Sequence, residues 1–146
     1  MIKKTFTKTL SANDVGMTGT HQGGILIPKA EAELLSILPP LNPKVKNPDA
    51  WIECLDELGD MRRFRFVYYN NKLHDEKGTR NEYRFTYMTR YFRDFGAKEG
   101  DTFEISEGEV NFNYSIRILR PMEKSVEQEE IQVTRIKITS SWRRIH

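Results

Sequence analysis

The stretch Gly78-Thr79-Arg80-Asn81-Glu82-Tyr83-Arg84 sets an acidic residue between two arginines at every second position. In an extended chain Arg80, Glu82 and Arg84 project to one side. Those residue types suit base edges: arginine bonds guanine bidentately, glutamate accepts from the cytosine amino group, and asparagine reads adenine. One edge carrying Arg-Glu-Arg could therefore read G·C-rich DNA from the major groove. The same three residues could equally form a cross-strand salt-bridge ladder, and spacing alone supports both.

A second concentration of chemistry lies upstream. Gly16, Gly19, Gly23 and Gly24 interrupt a polar run that exposes Ser11, Asn13, Thr18, Thr20, His21 and Gln22, a rich stock of hydrogen-bonding groups. No Gly-Lys-Ser/Thr follows, so a nucleotide P-loop is excluded. His21, His74 and His146 have no helical ligand spacing, and Cys54 is the single cysteine, which argues against a zinc site. His21 in such a loop reads as a hydrogen-bonding group.

Enzymatic patterns are sparse. Metal-dependent nucleases pair an upstream carboxylate with an acidic-x-lysine triplet, so that carboxylates hold Mg²⁺ and the lysine assists the attacking water. Asp60 with Asp75-Glu76-Lys77 fits loosely, but the triplet lies in a loop-like stretch instead of a core strand. Asp49 with Glu53-Cys54-Leu55 lacks the lysine. Ser11 or Ser36 with His21 and Asp14 lacks the Gly-x-Ser-x-Gly context of a nucleophile elbow. No catalytic or metal-ligating residue is assigned to the chain, and a compact nuclease using Asp60, Asp75 and Lys77 is kept as an alternative.

The elements that must carry these residues follow from composition and periodicity. The chain has 146 residues, 38% hydrophobic, 30% charged and 11% aromatic, which suits a single globular domain with its own core. The formal charge is only +2, but residues 61–100 hold ten basic against five acidic residues, while 21–60 hold three against seven. That distribution suggests a basic face. No apolar run suits a membrane span or a signal peptide, so an intracellular, cytoplasmic protein is expected.

Alternation predicts strands over residues 1–10, 25–27, 51–58 (strand favoured over helix), 61–69, 82–88, 102–106, 111–119 and 131–139. In 61–69, Phe64, Phe66 and Tyr68 face one way, with Arg63, Arg65 and Val67 opposite. A helix is predicted over 29–38, ended by Pro39-Pro40, and one or two helical turns over 90–95, closed by Gly96. Residues 72–81 read as loop or ribbon, and 123–130 as an exposed acidic connection. The expected architecture is a mainly β barrel or sandwich.

The motifs resemble a known family. Leu10-Ser11-Ala12-Asn13-Asp14-Val15-Gly16-Met17-Thr18-Gly19-Thr20-His21-Gln22-Gly23-Gly24-Ile25-Leu26-Ile27-Pro28 closely resembles the opening of the amino-terminal DNA-binding effector domain of EcoRII-type restriction endonucleases. Thr79-Arg80-Asn81-Glu82-Tyr83-Arg84 resembles that domain's second motif. Tyr91-Phe92-Arg93-Asp94-Phe95-Gly96-Ala97-Lys98-Glu99-Gly100-Asp101-Thr102-Phe103-Glu104-Ile105 is similar to the later part of plant B3 transcription-factor domains, which share the fold. Gly78 stands where a close relative has lysine, with Lys77 adjacent. Leu26 stands where a tyrosine is found, and Tyr83 where a lysine is found.

The resemblance implies a seven-stranded open pseudobarrel with one or two short helices, spanning residues 1–146 as one DNA-binding domain. Two arms, residues 11–24 and 72–88, would grip the major groove of double-stranded DNA. It implies a CCWGG-type target, where W is A or T. His21, Arg80, Glu82 and Arg84 would read and position bases. Asn13, Asp14, Thr20, Gln22 and Asn81 are second-rank candidates in the same motifs, and Lys77 is a further DNA-binding candidate. Binding needs no cofactor. Mg²⁺-dependent cleavage would belong to a separate nuclease domain, making this chain part of a longer restriction endonuclease of a bacterial or archaeal cytoplasm, or a free-standing recognition subunit. A transcriptional regulator with a B3-like fold is the remaining alternative.

Overall fold

A computed structural model of the chain describes residues 3–16, 23–110, 112–121 and 142–145. Eight strands and three short helices occur among them: β1 (Thr5–Thr9), β2 (Ile25–Ile27), α1 (Ala32–Ile37), β3 (Asp49–Leu55), β4 (Met61–Tyr69), α2 (Asn71–His74), β5 (Glu82–Thr86), α3 (Thr89–Asp94), β6 (Thr102–Glu107), β7 (Asn113–Leu119) and β8 (Arg143–Arg144). They form one sheet in the order β2-β5-β4-β3-β7-β6-β1-β8. All neighbours are antiparallel except β3 and β7.

The sheet curls on itself. β2 and β8 lie at opposite ends of the strand order, yet Trp142, one residue before β8, donates its indole N–H to the Leu26 carbonyl of β2 at 3.2 Å. The Trp142 ring also meets Phe85 of β5 and Phe103 of β6, each with centroids 6.1 Å apart. A flat sheet could not bring these together, so the result is an open pseudobarrel filled by one core. Phe6, Ile25, Ile27, Ile52, Phe64, Phe66, Phe85, Phe103 and Ile105 line its interior, with Leu34 of α1 and Tyr91 and Phe92 of α3 packed in.

Strand alternation explains the core. Ile52 and Cys54 of β3 face inward, while Trp51, Glu53 and Leu55 face outward. In β4, Phe64 and Phe66 are sealed and Arg63 is exposed, as the period of two requires. Cys54 is wholly buried, and desolvation with the nearby Glu53 charge pushes its thiol pKa up, leaving it an inert core group.

Several expectations need correcting. Among the described residues there are eight strands where the resemblance implied seven, because the two-residue β8 has no readable periodicity, and three helices where one or two were expected. The first helix covers Ala32–Ile37 instead of all of 29–38. Asn71–His74 forms a helical turn where a loop was expected. β5 stops at Thr86 because Tyr87 takes a left-handed conformation, φ 64°. That reversal exposes Tyr87 and turns Met88 into the core, so Tyr87 does not share the Tyr83 and Phe85 face. The strand expected at 131–139 and the connection at 123–130 lie outside the described residues.

Candidate nucleic-acid interface

The outer face of β2-β5-β4-β3 carries Glu82 and Arg84 of the residues singled out in the sequence, with Arg80 just ahead of β5. Register pairs Arg65 with Thr86, Val67 with Arg84 and Tyr69 with Glu82, and directly opposed residues share a face. The opposite face carries the Phe66–Phe85 and Tyr68–Tyr83 pairs, with rings stacked at 4.4 Å in the tyrosine pair. Two faces of one hairpin thus divide the labour between core and surface.

Glu82 sits between the two arginines. Arg84 Nε lies 2.6 Å from Glu82 Oε2, and Arg80 Nε lies 3.5 Å from Glu82 Oε1. The ladder runs along one strand and its leading loop, not across strands as the salt-bridge alternative required. Desolvation alone would raise the Glu82 pKa, but the Arg84 hydrogen bond and the charges of Arg84 and Arg80 outweigh it and hold the carboxyl below its ordinary value. Both arginines engage Glu82 through Nε.

Arg80 is fixed from two further directions. Its guanidinium lies 3.7 Å from the Tyr69 ring centroid, a close cation–π stack. Its backbone N–H donates to Asn71 Oδ1 at 2.7 Å, and its carbonyl accepts from Lys72 N–H at 3.0 Å. The segment 71–80 therefore folds back on the α2 turn. Gly78 is required there: a Cβ would stand 2.1 Å from the Asn71 carbonyl oxygen. Lys77, beside Gly78, is exposed.

Asn13, Arg65, Tyr69, Arg80, Arg84, Thr86 and Tyr87 line a cleft of about 390 Å³. It joins the first loop, through Asn13, to the Arg80–Arg84 edge. Thr86 Oγ1 is buried and has no hydrogen-bond partner among the described residues.

The other candidates separate. Asp14 is buried: its carboxylate takes the Lys8 ammonium at 2.5 Å and the Ser11 N–H at 2.9 Å, while its carbonyl accepts from Gly24 N–H at 2.8 Å. Asp14 ties the two ends of the first loop together and lies too deep for direct contact with a base. Gly24 closes that tie against β5, where a Cβ would fall 2.4 Å from the Phe85 carbonyl oxygen. Asn81 turns to the inner side, and its Oδ1 accepts from the Tyr68 hydroxyl. Thr20, His21 and Gln22 lie outside the described residues. Arg65, Tyr69 and Tyr87 were not singled out in the sequence. The alternation of Arg63 and Arg65 with Phe64 and Phe66 was the available signal, and it reads equally well as a solvated strand face.

The nuclease constellation is not assembled. Asp60 precedes β4 and Asp75 follows it, with nine residues of strand, roughly 30 Å, between. Asp75 instead pairs with Lys46 at 2.6 Å. Among the described residues no group of three or more His, Cys, Asp or Glu could hold a metal ion, and no helix is long and apolar enough to cross a membrane.

The fold class is shared with B3 DNA-binding domains. Similar solved structures are the Arabidopsis FUS3–DNA complex (TM-score 0.57, 21% identity, covering 78% of this chain and 94% of that one) and the UbaLAI restriction endonuclease B3 domain with cognate DNA (TM-score 0.54, 16% identity, 97% and 86%). The N-terminal domain of Helicobacter pylori LlaJI.R1 is similar over 98% of both chains (TM-score 0.53, 11% identity). No curated protein matches the sequence. The family described as restriction endonuclease EcoRII, N-terminal, matches residues 2–100. The chain belongs to that family.

Proposed function

We propose that this domain binds double-stranded DNA sequence-specifically, reading base edges in the major groove with Arg80, Glu82 and Arg84. One observation carries the reading: Glu82 holds both arginines on one edge, at a cleft whose far wall is Asn13 of the first loop. Two chain segments distant in sequence thereby flank one concave surface. Family membership and the B3-like fold support the same reading.

The target is a CCWGG-type duplex. Its outer G·C pairs match an Arg-Glu-Arg edge in donor and acceptor pattern. His21, Thr20 and Gln22 would enter the groove from the first loop. Asn13 lines the cleft, and Lys77 would contact phosphate. Asp14 and Asn81 act on DNA indirectly, by holding the loop and the strand that carry the readers.

The domain serves as the recognition and effector part of a restriction endonuclease of the bacterial or archaeal cytoplasm. Cleavage, with its Mg²⁺, belongs to a separate catalytic domain, and binding itself uses no cofactor. A selection from randomised duplexes by the purified chain, without divalent metal, tests this. Enrichment of a G·C-flanked core is expected, and recovery of no sequence preference would refute specific readout.

A further inference from the structure

A second surface adjoins the cleft, and of its main residues only Tyr87 belongs to an arm. Trp51 of β3 lies directly opposite Arg65 of β4, and Arg65 lies opposite Thr86 of β5, so one row crosses three strands. Tyr87 follows at the end of that row, and its ring meets Trp51 edge-on at 5.0 Å. Arg63, two residues along β4 from Arg65 on the same face, lays its guanidinium 5.1 Å from the Trp51 ring centroid. Arg63 and Arg90 then line a second cleft of about 640 Å³ together with Asp60, Met61, Arg62, Phe64, Tyr87, Tyr91 and Asp94. Tyr87 borders both clefts.

Three features set this surface apart from ordinary solvated chain. Trp51 and Tyr87 are about half exposed, at 45% and 52%. Tyr87 also occupies a left-handed backbone conformation, φ 64°, which is costly for a bulky aromatic residue and concentrates at functional positions. Finally, the charge is left open. Arg65 is paired with Asp49, Arg80 and Arg84 with Glu82, and Arg62 with Asp56 and Asp94. Arg63 has no carboxylate partner among the described residues, although Glu53 stands opposite it in register. Arg90 reaches only Asp94, at 4.0 Å, and Arg62 already holds that carboxylate at 2.7 Å.

We propose that Trp51, Arg63, Tyr87 and Arg90 form a second contact surface for the sugar–phosphate backbone of the duplex, flanking the base-reading edge. The inference rests on the DNA-binding reading above. Arginine held by an aromatic face keeps its N–H edge for a phosphate oxygen. The two aromatic rings offer an apolar surface to the sugars beside it. The anionic backbone complements the two least compensated cations of this face, and because the row continues from Arg65 it needs no second binding event. Contacts of this kind fix register and carry no sequence information.

The test is a titration of the intact chain against a fluorescent CCWGG duplex and a scrambled duplex, over a series of salt concentrations. The variants are Arg63→Ala with Arg90→Ala, Tyr87→Gly, and Arg80→Ala as the base-reading control. The arginine pair is expected to weaken binding several-fold on both duplexes alike. The slope of log K against log salt should fall by about one for each phosphate no longer neutralised, up to about two. Tyr87→Gly, which suits the left-handed backbone, should weaken binding while leaving the thermal midpoint near wild type. Arg80→Ala should instead narrow the preference between duplexes. An unchanged salt slope in the arginine pair, beside a reduced preference in Arg80→Ala, would overturn this surface and leave the recognition reading standing. A change in sedimentation of the free chain with DNA affinity unchanged would assign the face to a second copy and overturn it as well. Wild-type chain that bound neither duplex would overturn both readings.

Discussion

Lys8 Nζ and Asp14 Oδ2 lie 2.5 Å apart, with side chains only 3% and 7% exposed. Lys8 shares the inward side of β1 with Phe6, continued by Leu10 just past the strand, so its charge is placed inside by strand period and must be met there. Asp14 meets it from the first loop. The contact ties the first loop to the barrel wall and makes the position of its start depend on a buried ion pair.

Removing one partner should therefore cost far more than removing both. Lys8→Met is expected to destabilise by about 3–5 kcal/mol, because it leaves a buried carboxylate unpaired. Adding Asp14→Asn to it should recover part of the loss. Urea unfolding of the two single variants and the double variant measures the coupling. Strictly additive losses would show that the pair does not interact as its geometry indicates.

Arg80 and Arg84 should behave as readers. Replacing either with Ala is expected to cost about 1–3 kcal/mol on the preferred duplex and to relax preference at one base position. Competition binding with single-base variants of the duplex measures it. A uniform loss across all sequences would place them at phosphates instead. Glu82→Gln should relax the arginine clamp and affect more than one position, since one carboxylate holds both residues.

Gly78→Ala should disturb recognition without touching a reader. Its Cβ would drive into the Asn71 carbonyl, forcing open the α2 turn that fixes Arg80 through Asn71 Oδ1. Overpacking of this kind costs about 1–3 kcal/mol. Thermal unfolding and duplex affinity should both fall, and an unaffected affinity would detach Arg80 placement from the turn.

Acid should loosen the β3–β4 turn. Desolvation works to raise the Asp56 pKa, but hydrogen bonds from Arg62 and from the Asp60 and Leu58 N–H groups outweigh it and hold the carboxyl below its ordinary value. A group depressed in the folded state contributes stability above its unfolded pKa and loses it as pH falls through the folded one. Stability should thus decline below about pH 4. Asp56→Asn should be less stable at neutral pH and show a flatter decline, by chemical denaturation at a series of pH values. An equally steep decline would assign the acid sensitivity to other carboxylates.

The strands that build the core were legible because aromatic residues alternate cleanly: Phe64, Phe66 and Tyr68 of β4 could face only one way. Arg80, Glu82 and Arg84 were legible by the same period, although Arg80 precedes the strand and is oriented by Tyr69 and Asn71. The strand expected over 82–88 stops at Thr86 because the left-handed backbone of Tyr87 breaks the alternation. Asp14 read as a second-rank DNA-binding candidate, since nothing local reveals that Lys8 meets it inside the barrel. Trp142 gave no hint that it spans to Leu26, more than a hundred residues away. Burial and long-range contacts of these kinds are set by tertiary packing, which neither propensity nor periodicity encodes.

The most direct test of the central claim is a metal-free binding titration of CCWGG and scrambled duplexes of equal composition at two salt concentrations. Sequence-specific recognition predicts a preference for CCWGG that persists at the higher salt and narrows in Arg80→Ala. Equal, salt-sensitive binding of both duplexes would contradict readout of this site, because counterion release alone carries no sequence preference. Absence of binding to either would contradict a DNA-binding role altogether.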